Sequence, residues 1–205
     1  MSEPVMLAPG PDPGLPVGSG HGASAWRANV LVSAQLIRLV VGVALVSAIA
    51  AIVWAYTAPM PVGIVVRAGL AAVPSDQMSR YFDGIGWFSM GLLAIGVLAG
   101  SAFWWLARTW RGPIGVLALT ATTVVSSGLA IEVAHAALRI RLPDPTTLPA
   151  GETFLHGPKL WLAAPVDGAV GAPGVLLVLM PTMALLVYLF HALFAGDPTL
   201  DADSV

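Results

Sequence analysis

The chain has 205 residues, 57% of them hydrophobic and only 10% charged, with a formal net charge of −2. A soluble domain carries about 25% charged residues to coat its surface, so this composition points to a solvent other than water, and the lack of a basic field argues against nucleic acid as a partner. There is no cysteine, which excludes disulfides, thiolate metal sites, cysteine nucleophiles and lipidated cysteines.

Residues 1–25 are rich in Pro, Gly and Ser, as in Pro9-Gly10-Pro11-Asp12-Pro13-Gly14. Such a segment cannot bury enough apolar surface to offset its ordering entropy, and a disordered tail is expected. It lacks the basic start of a signal peptide, and its prolines interrupt any apolar run.

The bilayer core is about 30 Å thick and is crossed by ~20 helical residues, so an apolar stretch of about 18 or more marks a span. Four stretches within residues 26–196 qualify. The first covers about 30–56, broken only by Arg38, with Trp54 and Tyr56 marking an interface. The second covers 84–107, with Trp87 at one end and Trp104, Trp105 and Trp110 at the other. The third covers 112–138 and is uncharged as far as Ile131; the fourth covers 173–195 and contains Pro181, which predicts a kink. A short acidic tail, 197–205, follows. Four buried helices of a soluble protein would be the alternative, but too little polar sequence remains to coat them. The fold class expected is an all-α membrane protein with four transmembrane helices.

The connection Arg108-Thr-Trp-Arg-Gly-Pro113 is short, which makes spans two and three antiparallel neighbours. Residues 57–83 and 141–172 are longer and Pro-rich, and with four spans both lie on one side. Val62-Gly-Ile-Val-Val-Arg67, then Ala68-Gly69, then Leu70-Ala-Ala-Val73 reads as a hairpin, and Lys159-Leu-Trp-Leu-Ala-Ala164 as a further strand. Together they predict a small β-cap built from the two outer loops. A re-entrant or surface-lying helix over 62–73 is the competing expectation.

For orientation, Arg27, Arg38, Arg108 and Arg111 fall on one side, against Arg67, Arg80, Arg139, Arg141 and Lys159 on the other. Raw numbers are nearly balanced. The short Arg-bearing turn and the first span weigh more under the positive-inside rule, which places both termini in the cytoplasm of a cell that carries the protein in its plasma membrane. Eight of the nine basic residues are Arg, and Ala, Gly, Pro and Val abound, which suggests a GC-rich genome.

Tyr81-Phe82-Asp83-Gly84-Ile85-Gly86-Trp87-Phe88, then Gly91, Gly96 and Gly100, then Arg111-Gly112-Pro113, resembles an uncharacterised actinobacterial four-pass membrane family, that of the domain of unknown function 2567. The likeness continues through Leu142-Pro143-Asp144-Pro145 to Tyr188 and His191, and covers roughly residues 30–195. Here Gly84 is followed by Ile85-Gly86 before the aromatic pair, a looser form of the family's Asp-Gly start. The resemblance implies four spans with both termini inside. It implies no activity and carries over no catalytic residue.

Glu132, His135 and Arg139 are spaced by three and four residues and share a helical face at the outer end of the third span. An ionisable side chain at the bilayer centre costs about 2.5–3.5 kcal/mol on insertion scales. One interpretation is a proton or ion site in which Glu132 and His135 exchange protons and Arg139 is the counter-charge. The other is a salt-bridged interfacial cluster that closes the helix end. Glu-x-x-His is half of a di-iron site, but no second copy exists. Arg38 is expected to snorkel to the interface, or to meet a lipid headgroup or a partner's acid, Asp83 to cap the second span, and His191 to rest at the opposite interface. Glu152, His156 and Asp144 lie in the outer loop without metal-ligand spacing, so no catalytic, cofactor or metal residues are assigned. Gly96 and Gly100 form a Gly-x-x-x-Gly pair suited to close helix packing, within the chain or against another subunit; Ala44 with Ala48 and Thr122 with Ser126 offer similar faces.

No phosphate loop, nucleotide fingerprint or nucleophile elbow is present. The function expected is therefore non-enzymatic: an accessory membrane protein that binds lipid and another membrane protein or itself, without cofactor. The competing function is a small transporter or proton-linked subunit using Glu132 and His135. A lipid-processing enzyme at the outer face, using Glu152, His156 or Asp144, is a third, which no spacing supports.

Overall fold

The computed structural model describes residues 21–67, 70–144, 147–162 and 174–195. The acidic tail and residues 1–20 of the expected disordered tail lie outside them. The helices are α1 (His21–Thr57), α2 (Met78–Leu106), α3 (Pro113–Arg141) and α4 (Val175–Leu193). All four carry stretches long and apolar enough to cross a membrane. Helix α1 begins within the segment expected to be tail. A three-stranded antiparallel sheet is formed by β1 (Val62–Arg67), β2 (Leu70–Ala72) and β3 (Thr153–Leu155), with β1 in the centre. It fulfils the hairpin expectation for 62–73 and excludes a helix there.

The third strand is not where Lys159–Ala164 suggested. Thr153–Leu155 pairs with β1, with Phe154 opposite Gly63. A Cβ on Gly63 would lie 2.6 Å from the Phe154 ring, so the strand residue without a side chain is what admits the aromatic. Residues 159–162 form a turn instead, closed by the Leu162 N–H on the Lys159 carbonyl at 3.2 Å. Leu162 has φ +51°, a left-handed conformation disfavoured for a residue with a Cβ. Residues 163–164 are outside the described set.

Asp83 does not cap α2. The helix starts earlier, through a 3-10 turn at Ser75–Gln77 whose Gln77 N–H donates to the Pro74 carbonyl at 3.0 Å. Asp83 stands inside α2 on an exposed face. The start moves because Met78–Phe82 continues the helix beyond its apolar stretch to meet the cap: the Tyr81 hydroxyl accepts the Lys159 N–H at 3.1 Å.

Helices α2 and α4 approach each other closely. A Cβ on Gly96 would fall 2.7 Å from the Met180 carbonyl oxygen, and one on Gly100 2.4 Å from that of Ala184. The carbonyls lie along the glycine Cα–H directions, the arrangement of a Cα–H···O contact. Trp54 joins α1 to α2: its indole N–H donates to the Gly84 carbonyl at 2.9 Å and its ring meets Phe88 edge-on at 5.0 Å. The turn into α3 needs Gly112, whose φ of +134° is open only to glycine.

The interior is built from small and branched residues, among them Ala99, Ala130, Ala134, Ala184, Leu119 and Ile131. The outward faces are equally apolar: Leu45, Ile49, Val53, Leu98, Leu117, Val125 and Leu186 are all exposed. Water would penalise such a surface.

Helix lengths place the two ends of the bundle. At ~1.5 Å per residue, the 29 residues of α3 run about 43 Å and the 19 of α4 about 28 Å. At one end both reach a shared level, where Val116 and Leu117 of α3 and Tyr188 and Ala192 of α4 line one apolar groove. At the other, α4 begins near the level of Gly128, whose Cβ position is 3.7 Å from Leu177. The last dozen residues of α3 therefore rise past α4 towards the sheet.

Candidate functional site

The portion of α3 that outruns α4 carries Glu132, His135 and Arg139. In place of α4, the chain after β3 packs beside it as a strap. The Leu160 side chain is fully buried and plugs the bundle at this point. The strap forms no strand because its donors are taken by helix side chains. Leu160 N–H donates to His135 Nε2 at 3.3 Å, Lys159 N–H to Tyr81, and the Trp161 indole N–H to Glu132 Oε1 at 3.0 Å. Since Nε2 accepts, that hydrogen bond assigns the ring proton to Nδ1.

These bonds change the interpretation of the triad. Glu132 does not pair with Arg139, and His135 does not bridge them; the carboxylate holds the Trp161 indole and the imidazole holds a backbone N–H. The expected salt-bridged cluster is thus a clamp on the strap. The charged end of Arg139 has no hydrogen bond or ion pair among the described residues, and the same is true of the Lys159 ammonium.

Between the α3 end and the strap lies a cleft of about 590 Å³. Arg139, His135 and Glu132 line it from α3, His156 and Lys159 from the strap, and Asp144 from the loop after α3. Its apolar walls include Leu138, Leu142 and Phe154. Glu152 is not among the lining residues; it is exposed beside β3, where its carbonyl accepts the Val65 N–H at 2.9 Å. The His156 ring stacks on Tyr81 at 6.4 Å and meets Phe154 edge-on. Burial, and then the neighbouring Lys159 charge, lower its pKa below the ordinary histidine value of 6.5. No three of the His, Asp and Glu side chains come close enough to hold a metal ion among the described residues.

The sequence spacing finds the three α3 residues because one helix carries them. It misses their convergence with His156 and Lys159, which depends on where the loop returns. It also misses the opposite end, where Ser101 Oγ lies 3.4 Å from His191 Nε2 and Arg111 sits 4.3 Å over the Trp104 ring. Arg141, half-buried, donates from Nη1 to the Ala55 carbonyl at 2.5 Å and lies over Tyr56, tying the end of α3 to the end of α1. Arg38 is exposed at a small apolar groove of about 240 Å³ between α1 and α2.

Comparison of the chain with family models, with curated proteins and with solved structures finds no match. What the protein does is therefore argued from its own geometry. The described spans offer little polar lining. Buried Ser47, Thr122 and Thr123 each donate to a carbonyl of their own helix, at 2.8, 2.7 and 2.8 Å. Hydroxyls satisfied in this way are unavailable to a solute.

Proposed function

We propose that the chain is a multi-pass protein of the cell membrane that works by binding at its capped face, as an accessory to another membrane protein, rather than by catalysis or transport. One observation carries this: the ionisable side chains that line a cleft of size gather at the end of α3 beyond the start of α4, while the helices between the two ends present apolar residues and a few hydroxyls, of which Ser47, Thr122 and Thr123 are satisfied within their own helices. A carrier needs polar groups along its whole path. A hydrolase needs a nucleophile, a base and an oxyanion donor in mutual reach, and the cleft's polar residues engage the strap instead.

The exposed aliphatic faces support lipid as the surrounding medium, and the resemblance to the four-pass family of unknown function supports both termini on the cytoplasmic side. The capped face then looks outward. The proton-linked alternative loses its main support, since Glu132 and His135 each bond to the strap and not to each other.

Photo-crosslinking tests the proposal. A crosslinker placed at the exposed Leu155 beside the cleft should trap one discrete membrane partner in cells, whereas one at lipid-facing Leu117 should trap none. Equal, diffuse labelling from both positions would refute a binding role for the capped face. Solubility of the full chain in plain buffer, without detergent, would refute the membrane assignment itself.

A further inference from the structure

We infer that the cleft at the end of α3 binds a phosphate ester, and that its natural source is the headgroup of an anionic phospholipid. The inference rests on reading the four helices as membrane spans. It goes beyond that reading by naming the ligand chemistry.

Three observations converge. First, the cleft brings together two cations from different segments, Arg139 on α3 and Lys159 on the strap, and neither charged end has a protein partner among the described residues. A guanidinium fork matches two phosphate oxygens, and an ammonium adds a point charge. Second, one oxygen of the acid on the same helix is taken by the strap. Glu132 accepts the Trp161 indole N–H at 3.0 Å, and Asp144 has interactions of its own. His135 accepts the strap's Leu160 N–H on Nε2 and so keeps a donor on Nδ1. Arg139, Lys159 and the His135 Nδ1–H thus offer three donor groups of the kind a phosphate requires, beside the Glu132 and Asp144 carboxyls.

Third, position and size fit a headgroup. The cleft begins just past the level at which α4 starts, where the apolar length of that helix ends. Leu138 and Leu142 continue its wall as apolar surface, and neighbouring Ile140 is 83% exposed, as suits a residue against acyl chains. A volume of about 590 Å³ lies in the range of small-molecule sites, roughly 300–1,000 Å³. Phosphate held by Arg139 and Lys159 would leave the glycerol and chains beside the apolar surface of Leu138, Leu142 and Ile140. A soluble phosphate ester shares the polar chemistry but would leave the wall unused.

The test uses the full chain, purified in a phosphate-free detergent and delipidated. Native mass spectrometry titrates phosphatidylglycerol, diacylglycerol and glycerol phosphate against wild type, R139Q/K159Q and the control R67Q, which lies on β1 away from the cleft. Saturable one-to-one retention of phosphatidylglycerol is expected, weakened at least tenfold in the double variant and unchanged in R67Q, with diacylglycerol not retained. Displacement by glycerol phosphate at similar concentration would support the phosphate site but assign it to a soluble ester. Equal retention by wild type and double variant, or of diacylglycerol and phosphatidylglycerol, would overturn the inference. In those last two cases, detergent-dependent solubility would leave the membrane reading standing, so the two failures are distinguishable.

Discussion

Replacing Gly100 with alanine tests whether the α2–α4 contact is what holds the bundle together. An added Cβ would sit 2.4 Å from the Ala184 carbonyl oxygen and 3.2 Å from that residue's Cα and carbonyl carbon. All three are backbone atoms, so no rotamer change relieves the overlap. The helices must separate by nearly an ångström to restore ordinary contact. Inserting one methyl group into a packed interior costs about 1–3 kcal/mol. Against this, alanine gains up to about 1 kcal/mol over glycine as a helix former. A net loss of about 1–2 kcal/mol follows for G100A. Gly91 provides the control, because a Cβ there meets nothing within 4 Å; G91A should be neutral or slightly stabilising. Thermal unfolding of both variants in the same detergent, followed by tryptophan fluorescence, measures the difference. If G100A unfolded at or above the temperature of G91A, the close approach would not be stabilising and the argument from glycine spacing would be wrong.

R141Q should detach the end of α1 from α3, because Arg141 donates to the Ala55 carbonyl and covers Tyr56. A hydrogen bond from a charged donor is worth about 1.5–3 kcal/mol, and faster protease cleavage between Thr57 and Val62 would report its loss. E132Q keeps an oxygen acceptor for the Trp161 indole, whereas E132L does not, so hydrogen exchange across residues 159–162 should rise in E132L only; equal exchange would remove the clamp role. His156 makes the cap sensitive to acid. Its folded pKa lies below the unfolded value of 6.5, so between the two the unfolded cap binds more protons and stability falls as pH drops. The cap should be at full stability above about pH 7, loosen as pH falls through 6.5, and lose that dependence in H156Q, as read by proteolysis near β3. Ser127 Oγ is buried without a partner among the described residues, so S127A should leave stability unchanged or raise it, because it removes an unsatisfied hydroxyl.

The four helices long and apolar enough to cross a membrane were legible in the sequence because a stretch's apolar length is a property of that stretch alone. The first hairpin was legible for the same reason: the run from Val62 to Arg67 and the Ala68-Gly69 pair are local signals. Gly96 and Gly100 announced a close approach, but their spacing named no partner, and only the fold set the backbone of α4 against them. Asp83 shows how a cap signal fails: Asp before an apolar run marks a helix start only if the chain turns there, and Tyr81 is held in helix by a strap 78 residues away.

The strap was invisible for a related reason. Lys159-Leu-Trp-Leu is apolar enough to suggest a strand, yet its donors go to Tyr81, His135 and Glu132 on two helices. Helical periodicity correctly put Glu132, His135 and Arg139 on one face, and charge suggested that they pair with one another. Tertiary structure decided otherwise, since α4 stops short of them and the returning loop, carrying Trp161, His156 and Lys159, occupies the space it leaves. By itself the sequence determined the number of helices long and apolar enough to cross a membrane, set by composition within each segment. The cleft was decided by the tertiary structure alone, because it exists only where segments far apart in the chain end at different heights.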